Sequence, residues 1–130
     1  MILLDTHVVV WLAQEHHRLS PKAQATIEEA RKKEGGIAVS DITLFEIALL
    51  ASRGRVNFKP DVETTLSEVE RQFIVLPITA NIARQAFELS AGYPNDPVDR
   101  VIGATALIED IPLLTADAQI RRSRAVPTIW

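Results

Sequence analysis

Cysteine is absent from the 130 residues, which excludes disulfides, thiolate zinc sites and cysteine nucleophiles. A reducing compartment fits that absence, and a cytoplasmic location is expected. No apolar run approaches the ~20 residues that a membrane-spanning helix needs. Met1 leads straight into Ile2-Leu3-Leu4-Asp5, without the basic start and long apolar stretch of a signal peptide, so none is expected. A glycine-rich phosphate loop is also missing, which argues against a nucleotide-driven enzyme. The three histidines, His7, His16 and His17, lack the paired helical spacing of a zinc site and read as exposed or ordinary packing residues. A basic excess is lacking too. The formal net charge is −3, which at first sight disfavours a nucleic-acid partner.

What is present is a foldable chain. Hydrophobic residues make up 47%, too many for a disordered segment, and the length suits one domain over residues 1–130. Residues 2–5 read as a short buried strand, followed by a helix from His7 to Gln14. Ser20-Pro21 is a strong helix start, with Ser as N-cap and Pro at the first helical position. That helix is expected to run to about Glu34 and to stop at Gly35-Gly36. Further strands are expected at 37–39, 73–76, 112–115 and 126–130. Helices are expected from Ser40 or Asp41 to Ser52, Asp61 to Gln72, Thr79 or Ala80 to Ala91, Asp96 to Glu109 and Asp117 to Arg122. Alternating strands and helices predict a three-layer α/β fold. Its central, mostly parallel sheet would have four to five short strands with helices on both faces.

Four acids stand out against this background: Asp5, Glu46, Asp99 and Asp117. Asp5 follows Ile2-Leu3-Leu4, beyond the C-terminal end of the first strand, where open α/β sheets bind ligands. Asp117 repeats the arrangement after Leu113-Leu114-Thr115. Asp99 lies in the first turn of the helix opened by Asp96-Pro97, whose positive end favours an anion. Glu46 interrupts the apolar stretch Ile42-Thr43-Leu44-Phe45 and Ile47-Ala48-Leu49-Leu50-Ala51. Singly, each has an ordinary reading as a helix cap, a turn residue or part of an exposed stripe. Together they place carboxylates beside apolar sequence without enough basic partners, a costly arrangement unless a cation gathers them. Convergence on a divalent ion points to phosphodiester hydrolysis. Bases cluster at Arg31-Lys32-Lys33, at Arg53-Gly54-Arg55 with Lys59, and at Arg121-Arg122 with Arg124. Such runs are mostly solvated helix ends, although each is also a candidate phosphate contact.

The order of these acids resembles the PIN domain family of small metal-dependent ribonucleases, and more closely its VapC-type toxins. The resemblance spans essentially the whole chain. It rests on Leu3-Leu4-Asp5-Thr6-His7, on Ser40 through Phe45-Glu46-Ile47-Ala48, on Asp96-Pro97-Val98-Asp99-Arg100-Val101-Ile102, and on Leu114-Thr115-Ala116-Asp117. It implies a PIN-like fold and an acidic quartet of Asp5, Glu46, Asp99 and Asp117. Asp5, Asp99 and Asp117 would be metal ligands, and Glu46 would complete the site or orient the attacking water. It implies Mg2+, with Mn2+ able to substitute, and an RNA substrate. It also implies a homodimer and a cognate antitoxin covering the cleft, with DNA reached only through that antitoxin and no membrane partner. The chain departs from the pattern at Asn95, where a His often stands, and at Val98, where an aromatic is common.

Competing chemistries fit less well. Haloacid-dehalogenase-like phosphatases need a second Asp two residues after the first, and here His7 occupies that place. Receiver domains need an Asp after a middle strand, and none follows residues 73–76. A PIN-type RNA-processing nuclease without an antitoxin, and a non-catalytic RNA-binding or interaction module, both remain alternatives. Arg100, beside Asp99, reads either as a phosphate contact or as half of a structural ion pair.

Overall fold

A computed structural model describes all of residues 1–130. Five strands form one parallel sheet in the order β3-β2-β1-β4-β5. They are β1 (Ile2–Leu4), β2 (Ile37–Ser40), β3 (Ile74–Leu76), β4 (Leu113–Leu114) and β5 (Thr128–Ile129). Seven α-helices connect them: α1 (Thr6–Gln14), α2 (Pro21–Arg31), α3 (Asp41–Ser52), α4 (Val62–Gln72), α5 (Ala80–Ala86), α6 (Pro97–Glu109) and α7 (Ala118–Ser123). A 3-10 turn at His16–Arg18 follows α1. No helix is long and apolar enough to cross a membrane.

The strands are short, yet their side-chain alternation divides the core cleanly. Ile2, Leu4, Ile37, Val39 and Leu114 face one layer, packed on Val8 and Val9 of α1, Ile27 of α2, Ile47 of α3 and Val69 of α4. Leu3, Ala38 and Leu113 face the other, against Ile102 and Ala106 of α6 and Ile120 of α7. A parallel sheet covered on both faces has continuous apolar strands, and Ile2-Leu3-Leu4 is entirely buried. The three-layer expectation is met, and the sheet is parallel throughout.

Helix starts fall where the caps predict. Ser20 accepts from the Ala23 amide at 3.0 Å, with Pro21 in the first turn of α2. Helix ends differ more. α2 stops at Arg31 rather than Glu34, and α5 stops at Ala86 rather than Ala91. In α5 the reason is tertiary. The Arg100 guanidinium donates to the Ala86 carbonyl at 3.1 Å and, at 3.4 Å, to that of Tyr93. Beyond Ala86 the chain turns to bury Leu89 and Tyr93 under α6. The last strand is also shorter than expected, covering Thr128–Ile129.

The strand order sets the location of the crevice. From β1 the chain moves outward to β2 and β3, then returns to the other side of β1 for β4 and β5. The switch point lies between β1 and β4, beyond their C-terminal ends. Leu4 pairs with Leu114 there, so the next residues, Asp5 and Thr115, emerge side by side.

Candidate functional site

Asp5 is the most constrained of the acids. It is buried at 3% exposure and caps α1. Its Oδ1 accepts from the Thr6 amide at 2.9 Å, and its Oδ2 accepts from the Thr115 hydroxyl at 2.8 Å. The Thr115 hydroxyl in turn accepts from the Asp117 amide at 3.1 Å. Asp117 caps α7 through Oδ1, which accepts from the Ile120 amide at 2.9 Å. The β1–β4 register thus places the first and last acids on the two sides of one threonine. The Thr6 hydroxyl lies 3.1 Å from that of Thr43, tying the start of α1 to the α3 helix that carries Glu46.

Asp99 lies in the first turn of α6, capped by Asp96, whose Oδ1 accepts from the amides of Val98 at 2.8 Å and Asp99 at 3.2 Å. Burial first, and then the charges of Asp5, Asp96, Glu46 and Asp117, together push the Asp99 carboxyl up to about 7. Glu46 is also raised, first by burial; the Thr6 hydroxyl opposes this, while Asp5 and Asp96 reinforce it. One like-charged neighbourhood therefore contains all four acids singled out in the sequence. It adds a fifth, Asp96, which the sequence reading treats only as a helix opener. Its double effect on Asp99 and Glu46 depends on how α6 sits against α3, which no local signal encodes.

The four acids share a field without closing on a point. No three His, Asp or Glu side chains stand close enough together in this conformation to hold an ion jointly. Mutual repulsion favours that spacing, and Asp5 and Asp117 each spend an oxygen on a helix cap. The donor set still fits a hard divalent cation: carboxylate oxygens, no thiolate, and an Asp99 carboxyl raised by burial and by neighbouring like charge that a cation would offset.

Two neighbouring residues read differently in three dimensions. Arg100 forms no carboxylate ion pair; its guanidinium donates to the carbonyls of Ala86 and Tyr93. His7 is no ordinary packing residue. Its Nε2 accepts from the Ala116 amide at 2.9 Å, and its Nδ1 lies 3.7 Å from Asp5 Oδ2. A lone histidine after the first strand gives no hint of an amide 109 positions away. His16 and His17 are exposed, as expected.

Four cavities of about 410 to 490 Å3 lie away from the acids. One of about 440 Å3 opens between α1 and α4, with Val9, Leu12 and Phe73 beside Arg31 and Lys59 in its wall. Another of about 430 Å3 borders it and is lined by Trp11, Arg18 and Arg55.

Comparison with known proteins shows the family and the fold. The PIN domain family matches residues 2–125. The chain is 35% identical, over 99% of its own length and 98% of the relative's, to a protein named ribonuclease VapC22 from Mycobacterium tuberculosis. Its fold is similar to that of VapBC2 from Rickettsia felis, described as bound to a DNA fragment from its promoter. The TM-score is 0.74 at 20% identity, covering 99% of this chain and 98% of that one. It is also similar to Mycobacterium tuberculosis VapC20, described as a sarcin-ricin loop cleaving toxin, with a TM-score of 0.69 at 18% identity and 95% of each chain covered.

Proposed function

The chain belongs to the PIN domain family, and from that premise we propose that it is a metal-dependent endoribonuclease acting as the toxin of a type II toxin–antitoxin pair. The observation that carries the proposal is the meeting of Asp5 and Asp117 on the Thr115 hydroxyl at the sheet switch point, with Asp99 and Glu46 in the same acidic neighbourhood. Helix capping accounts for the places of Asp5, Asp96 and Asp117 singly, but the repulsion among the gathered acids is relieved when a cation joins them.

Asp5, Asp99 and Asp117 would hold the ion. Mg2+ suits this donor set because it keeps several waters and needs few carboxylates, and Mn2+ is an acceptable substitute. When bound, the ion supplies charge neutralisation at the phosphate and lowers the pKa of a water. The chain's own residues do the rest. Thr115 and the α1 cap fix the Asp5 oxygens, so that carboxylate needs little reorganisation. Glu46 would complete the site or orient the attacking water. Exposed Arg53 and Arg55, which form no ion pair, guide the RNA backbone from outside the acidic cleft.

The partners follow from the surface. A homodimer, which the family resemblance implies, would cover exposed apolar side chains such as Phe45 and Phe87, 61% and 78% exposed. The cavity beside α1, where Val9, Leu12 and Phe73 stand next to Arg31 and Lys59, supports an antitoxin segment with apolar anchors and acidic flanks. DNA would be reached only through that antitoxin, and the pair would act in the cytoplasm. Of the apolar stretch Val8–Leu12, residues Val8, Val9 and Val10 are buried core, leaving Trp11 and Leu12 as the partly exposed portion.

The test is cleavage of a panel of structured RNAs by the purified chain with Mg2+, Mn2+ or EDTA. Asp5→Asn and Asp99→Asn should each lower the rate at least ~10²-fold while retaining the fold. Undiminished, EDTA-resistant cleavage in both variants would sink the assignment.

A further inference from the structure

The stretch Thr115-Ala116-Asp117 is gripped at three consecutive residues. Thr115 donates its hydroxyl to Asp5 Oδ2 at 2.8 Å, the Ala116 amide donates to His7 Nε2 at 2.9 Å, and the Asp117 amide donates back to the Thr115 hydroxyl at 3.1 Å. Only the middle contact comes from an aromatic ring. An amide can only donate, so Nε2 must be the unprotonated nitrogen and the neutral ring carries its proton on Nδ1. That nitrogen faces Asp5 Oδ2 at 3.7 Å, beyond direct hydrogen-bond length but close enough for an attractive dipole. The opposite side of the ring is braced. Its centroid is 4.9 Å from that of Trp11, and Trp11 lies 5.9 Å from Trp130 and under the Arg18 guanidinium at 4.2 Å. The ring therefore has one held orientation, with Asp5 at one nitrogen and the loop that delivers Asp117 at the other.

We infer that His7 is a positioning residue that sets the place of Asp117 relative to Asp5. It does so by accepting the Ala116 amide, and it touches neither substrate nor reacting atoms. The inference deepens the proposed function and rests on it for the ion that the two acids would share. The chain achieves the effect economically, because His7 is two residues from Asp5 on the same helix start. Whatever fixes α1 also fixes the reference point for the distant loop. Partners that orient ligands in this way typically change metal affinity 10–100-fold when removed.

Two substitutions in the full chain separate the acceptor from the ring. His7→Gln keeps an acceptor near the Nε2 position and loses the ring. His7→Phe keeps the ring against Trp11 and loses the acceptor. Hydrogen exchange at the Ala116 amide, measured without metal, reads the contact itself. Mn2+ affinity by calorimetry and the Mg2+ dependence of cleavage read its consequence. In His7→Phe, Ala116 should exchange at least ~10-fold faster, Mn2+ affinity should fall ~10-fold or more, and the rate at saturating metal should change less. His7→Gln should stay within ~3-fold of the parent on all three. The reverse ranking, with Phe like the parent and Gln impaired, would overturn the inference in favour of ring packing. Unchanged exchange and affinity in both variants would overturn it outright. A parent chain that binds no Mn2+ would overturn the metal-dependent function and the role given to His7 with it. Exchange at Ala116 would still show whether the contact exists, so the two failures are distinguishable.

Discussion

Thr115 carries no charge, yet it governs two of the acids. It is fully buried; its hydroxyl donates to Asp5 Oδ2 and accepts from the Asp117 amide. Thr115→Val keeps the shape and removes both contacts, leaving a buried carboxylate oxygen and an amide short of a partner. The cost should be about 1–3 kcal/mol, read as a lower melting temperature, with cleavage reduced beyond what the lost stability explains. A variant as stable and as active as the parent would show that water replaces the hydroxyl freely. This scale also shows how much of the site was legible in the sequence. The four acids stand out because each is an anion beside apolar sequence, and the structure does bring them into one field. Thr115, His7 and Asp96 do not stand out. Threonine after a strand and aspartate before a proline have ordinary explanations. What distinguishes them here is register: Leu4 pairs with Leu114, and pairing across such a sequence separation leaves no local pattern.

Among the elements, α6 carries the most consequence, since it delivers Asp99. Its first turn is fixed by Asp96, and the Tyr93 hydroxyl donates to the Asp99 carbonyl at 2.9 Å. Tyr93 fits because residue 103 is glycine: a Cβ there would lie 2.6 Å from the ring carbon Cζ and closer still to the hydroxyl. Gly103→Ala should therefore destabilise the chain by about 1–3 kcal/mol, although alanine is the better helix former. Pairing it with Tyr93→Leu should return part of that loss, and a double-mutant cycle of melting temperatures measures the coupling. Strict additivity would mean the ring moves aside at no cost. The elements themselves were largely legible, because Ser20-Pro21, Asp96-Pro97 and the strand-length apolar runs act locally. The end of α5 was not, because the group that takes the Ala86 carbonyl is Arg100, fourteen residues onward. The strand order was not legible either, because nothing local says which side of β1 receives β4.

For the whole molecule, the gathered acids tie stability to pH and, on the proposed function, to metal. Burial and neighbouring charge raise Asp99 to about 7 in the folded chain, against an ordinary value of 3.8, and Glu46 moves in the same direction. Between those values the folded state binds more protons than the unfolded one, so stability falls as pH rises. The penalty is absent well below pH 4 and complete above about pH 7. Asp61 and Glu68 are lowered, and their contribution is already complete by pH 5, so it does not mask the trend. In EDTA the chain should lose about 1 kcal/mol between pH 5 and pH 8 once water screening is allowed for, or about 3 °C in melting temperature. Saturating Mg2+ at pH 8 should return at least that much, because the ion binds the folded arrangement and reverses the repulsion. Asp99→Asn removes the raised carboxyl. In EDTA at pH 8 it should melt above the parent, with a flatter pH profile and a smaller gain from Mg2+. A proposed metal ligand would then be one whose loss stabilises the metal-free fold, the signature of charge gathered for a ligand rather than for stability. A melting temperature in EDTA that is flat from pH 5 to 8, and unmoved by Mg2+, would mean that the acids are solvated independently. The metal-centred function would fall with it.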